Sequence, residues 1–118
     1  MESNEFFDRA VLLDRVEGDE ELLAEMIQLY MEDVPRALEA MRSALQQNDM
    51  HALVRAAHSL KGSSANLAAK TAAEAAQRLE QDAKRGDAVG AEASVAALER
   101  VLGRLLPALV ENGSGVTK

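Results

Sequence analysis

The residues that could do chemistry in this 118-residue chain lie close together in one stretch, Ala57 to Leu67, which contains His58, Lys61 and Gly62. An imidazole can act as a nucleophile or a base near neutral pH, and a lysine ammonium attracts anionic oxygens. Residues three and four positions apart lie on the same face of an α-helix. We therefore expect one helical turn that presents the imidazole of His58 beside the positive charge of Lys61, with no side chain at Gly62.

The helical phase of this stretch separates His58 from an apolar stripe. With His58 at zero, the apolar and small residues fall at roughly 160° to 240° around the helix; they are Leu53, Ala56, Leu60, Ser64 and Leu67. This phase predicts that His58 points to solvent. We interpret Ser63 and Ser64 as residues that permit close helix packing. Glycine costs about 1 kcal/mol relative to alanine inside a helix, so we interpret Gly62 as clearance for a bound group or a docking protein.

Other chemistries find little support in the sequence. His51 lies seven residues before His58, about 10 Å along a helix axis, and it lacks the lysine and glycine one turn later. We therefore interpret it as a surface residue near the helix start. Two histidines at this spacing on one helix are also too far apart to bind the same metal ion. The chain has no cysteine and no glycine-rich phosphate loop ending in Gly-Lys-Ser or Gly-Lys-Thr. Thiolate catalysis, a metal site and ATP binding are therefore not predicted.

The spacing of apolar residues predicts a succession of helices. Their expected positions are a short helix capped by Ser3 or Asn4 and ending near Val16, a long helix over about 19–47, the histidine helix over about 49–66, a fourth helix over about 71–85 and a fifth over about 88–109. The apolar stripe of the long helix stays in phase across Pro35, which favours one kinked helix. Asp19 is its predicted N-cap, and Thr71 with Glu74 forms a capping-box pattern for the fourth helix.

Long helices joined by short links predict an all-α fold, an up-down-up-down four-helix bundle with a short additional N-terminal helix. Residues 1–110 are expected to form this single domain, and residues 111–118 a flexible C-terminal tail. Aromatic residues make up only 3% of the chain, so Leu, Val, Met and Ala must fill the core. The glycines and short links favour a closed monomer over a coiled-coil dimer.

Charge is distributed unevenly along the chain, whose formal net charge is −7. Residues 1–33 contain 11 acidic and 2 basic residues, whereas residues 34–118 contain 9 acidic and 11 basic ones. The negative net charge argues against nucleic acid as a partner, and its distribution places His58 in the part of the chain where an anionic group meets less repulsion. The sequence shows no signal peptide and no apolar run long enough for a membrane span, so the cytoplasm is the expected location.

The residues from His58 to Ser64 resemble the active helix of the histidine-containing phosphotransfer family. The usual pattern of that family is a histidine, any residue, a hydrophobic residue, a lysine, a glycine and then small residues; here it is matched by His58, Leu60, Lys61, Gly62, Ser63 and Ser64. The likeness in helix number and length extends from about Val11 to Leu109. One departure is Ala68, where such sequences often have glycine.

The resemblance implies that His58 accepts a phosphoryl group from the aspartyl phosphate of a receiver domain and passes it on in a two-component phosphorelay. It also implies that Lys61 stabilises the charge of the phosphoryl group and that Gly62 gives it room. Arg55, Ser59 and Ala65 would form the rim of the docking surface. Expected partners are a response-regulator receiver domain and a hybrid histidine kinase. The protein would be a phosphocarrier, not an enzyme, without a cofactor of its own, and Mg²⁺ would belong to the receiver.

Two other interpretations remain open at this stage. A helical adaptor of the same fold could bind a receiver domain or a histidine kinase without being phosphorylated, although such a protein would not need His58, Lys61 and Gly62 together. A structural dimerisation bundle would form a concentration-dependent dimer and would not need Gly62.

Overall fold

The computed structural model describes residues 6–112, except for the side chain of Asn112. The helices of this part of the chain are α1 (Arg9–Arg15), α2 (Glu20–Gln46), α3 (Met50–Asn66), α4 (Lys70–Lys84) and α5 (Ala88–Asn112). Helices α2 to α5 pack as an elongated antiparallel bundle of 42 × 21 × 21 Å, and α1 packs against α2. The predicted all-α four-helix bundle with a short additional N-terminal helix is confirmed.

Each link between successive bundle helices contains three residues and has the same hydrogen-bonding pattern. After α3, the N–H of Ala69 donates to the carbonyl of Ser64 at 2.9 Å, and the N–H of Ala68 donates to the carbonyl of Ala65 at 3.0 Å. These two bonds define a Schellman motif, in which the residue after the C-cap has a positive φ. The corresponding residues after α2 and α4 are Asn48, with φ 54°, and Gly86, with φ 69°.

Ala68 adopts a φ of 65° in this link. The left-handed region favours glycine because a Cβ crowds the following carbonyl oxygen there. Sequences with the pattern at His58 often have glycine at this position, and here alanine adopts the left-handed conformation. The N–H of Asp8 donates to the carbonyl of Ala68 at 3.3 Å, which ties the segment before α1 to this link.

The long helix α2 continues through Pro35, as predicted. Its N-cap is Asp19, whose carboxylate accepts a hydrogen bond from the N–H of Leu22 at 3.0 Å. The residues of α2 that are buried lie on one stripe in phase on both sides of the proline; they are Leu23, Ile27, Tyr30, Val34, Met41 and Ala44. Tertiary packing of this stripe therefore holds the helix together where proline removes one backbone hydrogen bond.

The predicted start of α1 is wrong. The helix begins at Arg9, and its N-cap is Asp8, whose carboxylate accepts a hydrogen bond from the N–H of Val11 at 3.2 Å. The proposed caps Ser3 and Asn4 lie outside the described residues. In and just before α1, Phe7 and Leu12 are buried, Phe6 and Leu13 are partly buried against the core, and Val11 is exposed. Phe7 enters the core ahead of the helix, so the helical phase does not extend back to it.

The predicted capping box of α4 is also wrong. The helix begins at Lys70 with Ala69 as its N-cap, and no side chain provides a cap hydrogen bond there. Ala69 is the last residue of the Schellman motif that ends α3, so this tight link fixes the start of α4 two residues before Thr71. At the other end, α4 has Lys84 in its last turn and is followed by Gly86 in the left-handed region.

Helix α5 continues to Asn112, so residues 111 and 112 of the expected tail are helical. Residues 113–118 lie outside the described part of the chain. Leucine and alanine supply most of the core, together with Ile27, Val34, Met41 and Val95, and its buried aromatic members are Tyr30 and Phe7. The hydroxyl of Tyr30 lies 2.7 Å from Oγ of Ser64 in the interior, and burial raises the pKa of Tyr30 to about 12.

Within residues 6–112, no helix combines the length and apolarity that a bilayer span requires.

The strain at Ala68 leads to a test by substitution. Ala68→Gly should leave the free energy of unfolding unchanged or raise it by up to about 1 kcal/mol, because it removes a Cβ from a left-handed backbone. Gly86→Ala, at the matching position after α4, should lower it by about 1 kcal/mol. Urea denaturation measures both changes. As a control, Ala40→Gly on the exposed side of α2 should cost about 1 kcal/mol; equal losses for Ala68→Gly and Ala40→Gly would contradict the assignment.

Candidate functional site

Helix α3 positions His58 in the middle of an exposed face. The helix begins after Asp49, whose carboxylate accepts a hydrogen bond from the N–H of Ala52 at 3.0 Å. Its buried residues are Leu53, Ala57, Leu60 and Ser64. The imidazole of His58 lies on the side away from this stripe, with 67% of its side chain exposed, where the helical phase predicts it.

Small residues on α4 let this helix approach α3 closely. Ala72, Ala76 and Ala83 are all buried on α4, and Ala57 is the residue buried beside His58 on α3. Since helix separation depends on the side chains at the contact, these alanines bring the side chain of Glu80 within reach of the histidine. Oε2 of Glu80 lies 3.0 Å from Nδ1 of His58.

Glu80 also forms ion pairs with two lysines. Its Oε1 lies 2.9 Å from Nζ of Lys61 on α3, and its Oε2 lies 3.3 Å from Nζ of Lys84, one turn further along α4. The Glu80 side chain is only 6% exposed. The hydrogen bond from Lys61 is the main cause that lowers the pKa of Glu80 to about 2, against the opposing effect of burial and with further help from His58 and Lys84. Glu80 is therefore an ionised, buried carboxylate at neutral pH.

Lys61 lies next to His58 but faces α4 more than solvent. Its side chain is 32% exposed, and its ammonium contacts the Glu80 carboxylate. Helical spacing placed Lys61 on the exposed face of α3 and gave no indication of Glu80 as its partner. A cation bound to a buried carboxylate has fewer conformations available than a free surface lysine, so Lys61 is held near the imidazole.

Glu80 and Lys84 were not predicted from the sequence, although the sequence contains a signal for Glu80. On a helix, Glu80 falls one turn after Ala76 and next to Leu79, on the stripe that also contains Ala72 and Ala83. A charged residue on an otherwise apolar stripe must be paired when it is buried. The pattern could have marked Glu80 as unusual, but it could not have identified a partner on another helix.

Gly62 is exposed on α3, one turn after His58. A Cβ built at this position would have no atom within 4 Å apart from its own helix and chain neighbours. Packing within the protein therefore does not require glycine here. Ser63 donates a hydrogen bond to the carbonyl of Leu60 at 3.2 Å, and Ser64 is fully buried against Tyr30. Both serines are bonded within the bundle, away from the imidazole.

The structure places Arg55, Ser59 and Ala65 on the exposed surface of α3. Arg55 and Ser59 are within one turn of His58, whereas Ala65 lies two turns later, where its carbonyl accepts a hydrogen bond from Arg15 of α1 at 2.8 Å. His51 is exposed near the start of α3 and lines a shallow groove with Lys84 and Arg85. Among the described residues, no three His, Asp or Glu side chains are placed to hold a metal ion together.

The lowered pKa of Glu80 predicts a pH-dependent contribution to stability. Its pKa falls from 4.5 to about 2 on folding, so the ionised carboxylate stabilises the protein above about pH 5, and this stabilisation is lost as the pH falls toward 2. Glu80→Gln should therefore lower the free energy of unfolding most near neutral pH, and the difference from wild type should shrink in acid.

Urea denaturation of both proteins at several values between pH 2 and pH 7 measures this difference. Glu74→Gln, which changes an exposed carboxylate on the same helix, is the control and should show a small difference at every pH. A difference between wild type and Glu80→Gln that stayed constant down to pH 2 would contradict the ion-pair account.

Comparison with known families and structures identifies relatives of this chain. The family model of the Hpt domain matches residues 25–110. The structure is similar to that of histidine-containing phosphotransfer protein B (HptB) from Pseudomonas aeruginosa PAO1, with a TM-score of 0.88 and 28% identity over 98% of this chain and 100% of that one. No curated protein matches the chain in sequence.

A second solved structure, the HPT domain of the Hpt sensor hybrid histidine kinase from Shewanella, shows the same fold. Its TM-score is 0.81 at 22% identity, over 97% of this chain and 98% of that one. Hpt domains are phosphocarriers and not classical enzymes, and in relays they act with receiver domains and histidine kinases. Because the family model covers most of its length, this chain belongs to the Hpt domain family and has a histidine phosphotransfer role in a two-component phosphorelay.

Proposed function

We propose that Nε2 of His58 is the atom that accepts and donates the phosphoryl group. The observation that carries this proposal is the 3.0 Å contact between Nδ1 of His58 and Glu80. An ionised carboxylate can only accept hydrogen bonds, so Nδ1 must carry a proton. In a neutral imidazole the lone pair then resides on Nε2. Since the ring is largely exposed, a phosphorylated partner can reach this nitrogen.

Lys61 has a proposed role in stabilising the negative charge of the phosphoryl group. Its ammonium is half-buried beside His58 and is held there by Glu80. Phosphoryl transfer depends mainly on positioning and on neutralising charge at the transferred group. A lysine that is already oriented can contact a phosphoryl oxygen without first losing much conformational freedom.

Gly62 has a proposed role in giving the phosphoryl group and the partner room. The open space around its Cα supports this role, because the glycine is not needed for packing and is unfavourable in a helix interior. Arg55, Ser59 and Ala65 stay candidates for the rim of the docking surface, and their exposure is compatible with that assignment.

The proposed partner is the receiver domain of a response regulator or of a hybrid histidine kinase. Mg²⁺ would be bound by the acidic pocket of the receiver, and the aspartyl phosphate there would supply or accept the phosphoryl group. We further propose that residues 1–110 act as one monomeric carrier unit in the cytoplasm, without an ATP site or a cofactor of its own.

Phosphoryl transfer to His58 can be tested with a panel of phosphorylated receiver domains. We expect wild type to acquire a label that is labile in acid and stable in alkali, as phosphohistidine is, and His58→Gln to acquire none. The variant should remain folded because the ring is exposed, and circular dichroism checks this. No label on wild type from any receiver that binds it would contradict the carrier role and favour a non-phosphorylated adaptor.

The clearance role of Gly62 has its own test. Gly62→Gln should stay helical but slow transfer by roughly ten- to a hundred-fold, because displacing the reacting groups by about 1 Å can cost that much. Gly103→Gln on α5 is the matched control. The space around its Cα is equally open. Because α5 packs on α2 and α4 and does not carry His58, transfer should be unchanged. An unchanged rate for Gly62→Gln in single-turnover assays would remove the clearance argument.

A further inference from the structure

The buried carboxylate behind the His58 ring needs an explanation beyond phosphoryl binding. An incoming phosphoryl group is anionic, yet Glu80 places another negative charge within 3.0 Å of the imidazole. A carboxylate that is 6% exposed is costly to bury, and a neutral side chain could also accept a hydrogen bond from Nδ1. Lys61 and Lys84 balance part of the charge of Glu80, and the same carboxylate faces Nδ1, where it can act on a state of His58 that is itself positively charged.

Phosphorylation of His58 at Nε2 creates such a state. The Nε2 lone pair forms the bond to phosphorus, so the ring becomes cationic if Nδ1 keeps its proton. In water an imidazole nitrogen exchanges its proton near neutral pH. A carboxylate within hydrogen-bond distance favours the protonated form, and Glu80 faces Nδ1 directly.

We propose that Glu80 keeps Nδ1 of phosphorylated His58 protonated across the neutral pH range and thereby keeps the phosphoryl group readily transferable. This inference rests on the proposed role of His58. When the bond between phosphorus and Nε2 breaks, its electron pair returns to Nε2, and phosphorus forms a bond to a carboxylate oxygen of the receiver. The ring leaves as a neutral imidazole that still has the Nδ1 proton. In the reverse direction the same neutral ring attacks, so no proton has to move either way.

The charges around His58 act in two directions. Lys61 on α3 and Lys84 on α4 both contact Glu80 and keep the carboxylate ionised. As cations near the ring, they and Arg55, one turn before His58 on α3, disfavour a further positive charge there, whereas Glu80 favours it through its direct contact with Nδ1. Among the described residues, no charged side chain of α2 forms an ion pair with His58. Glu80 is thus the carboxylate that faces the ring, and it can balance the charge of the phosphorylated imidazole.

The test is the pH dependence of phosphohistidine hydrolysis in wild type and Glu80→Gln. Both proteins are phosphorylated with phosphoramidate, which needs no partner protein, and loss of the label is followed between pH 6 and pH 9. Wild type should lose the label at a nearly constant rate up to about pH 8. In Glu80→Gln the hydrolysis rate should begin to fall about one to two pH units lower, so that its label lasts roughly ten- to a hundred-fold longer at pH 8.

Two controls separate this role from a structural one. Glu74→Gln removes the same charge from an exposed position on α4 and should keep the wild-type profile. Nitrogen NMR of phosphorylated wild type follows the Nδ1 proton directly, which tests the proposal even if Glu80→Gln does not fold. Retention of that proton at pH 8 is the expected result. Its loss near pH 6.5, or superimposable hydrolysis profiles for wild type and Glu80→Gln, would overturn the proposal.

These experiments also distinguish a failure of the role proposed for Glu80 from a failure of the proposed carrier function. If neither phosphoramidate nor a receiver labels His58 in wild type, the histidine is not the phosphoacceptor and the role of Glu80 fails with it. If His58 is labelled and Glu80→Gln shows the wild-type pH profile, the carrier function stands and only the role of Glu80 is wrong.

Discussion

The hydrogen bond between Glu80 and His58 is the interaction on which the site depends, and it joins two different helices. It exists because buried alanines let α4 approach α3, and because the lysines on either side keep the carboxylate ionised despite its burial. The same contact fixes which imidazole nitrogen is protonated. A single interhelical bond thus connects the packing of the bundle to the chemistry that the histidine can perform.

The links between the helices fix the register in which this bond can form. Each link is a Schellman motif followed at once by the next helix, so a shift of one residue would rotate α4 by about 100° and turn Glu80 away from His58. The segment before α1 reinforces the link at Ala68, and Arg15 bonds the last carbonyls of α3, those of Ala65 and Asn66. The short first helix therefore stabilises the end of the helix that presents the histidine.

Only the part of the functional site that lies within one helix was predicted from the sequence. His58, Lys61 and Gly62 are three and four residues apart, so helical periodicity alone places them together, and apolar stripes likewise predict the four-helix bundle. Glu80 was missed because its partners belong to another helix. The start of α4 was misplaced for a related reason: Thr71 and Glu74 form a good local capping pattern, but the tight turn at Ala68 and Ala69 decides where the helix begins.

The most direct measurement of the central claim is the protonation pattern of the unphosphorylated His58 ring. Nitrogen-15 NMR correlating the ring nitrogens with the ring carbon-bound protons distinguishes the two neutral forms at a pH where the imidazole is uncharged. The account predicts a proton on Nδ1 and a free lone pair on Nε2. A neutral ring with its proton on Nε2 would contradict it, because the bond to Glu80 would then be absent and the nitrogen proposed to accept the phosphoryl group would not be nucleophilic.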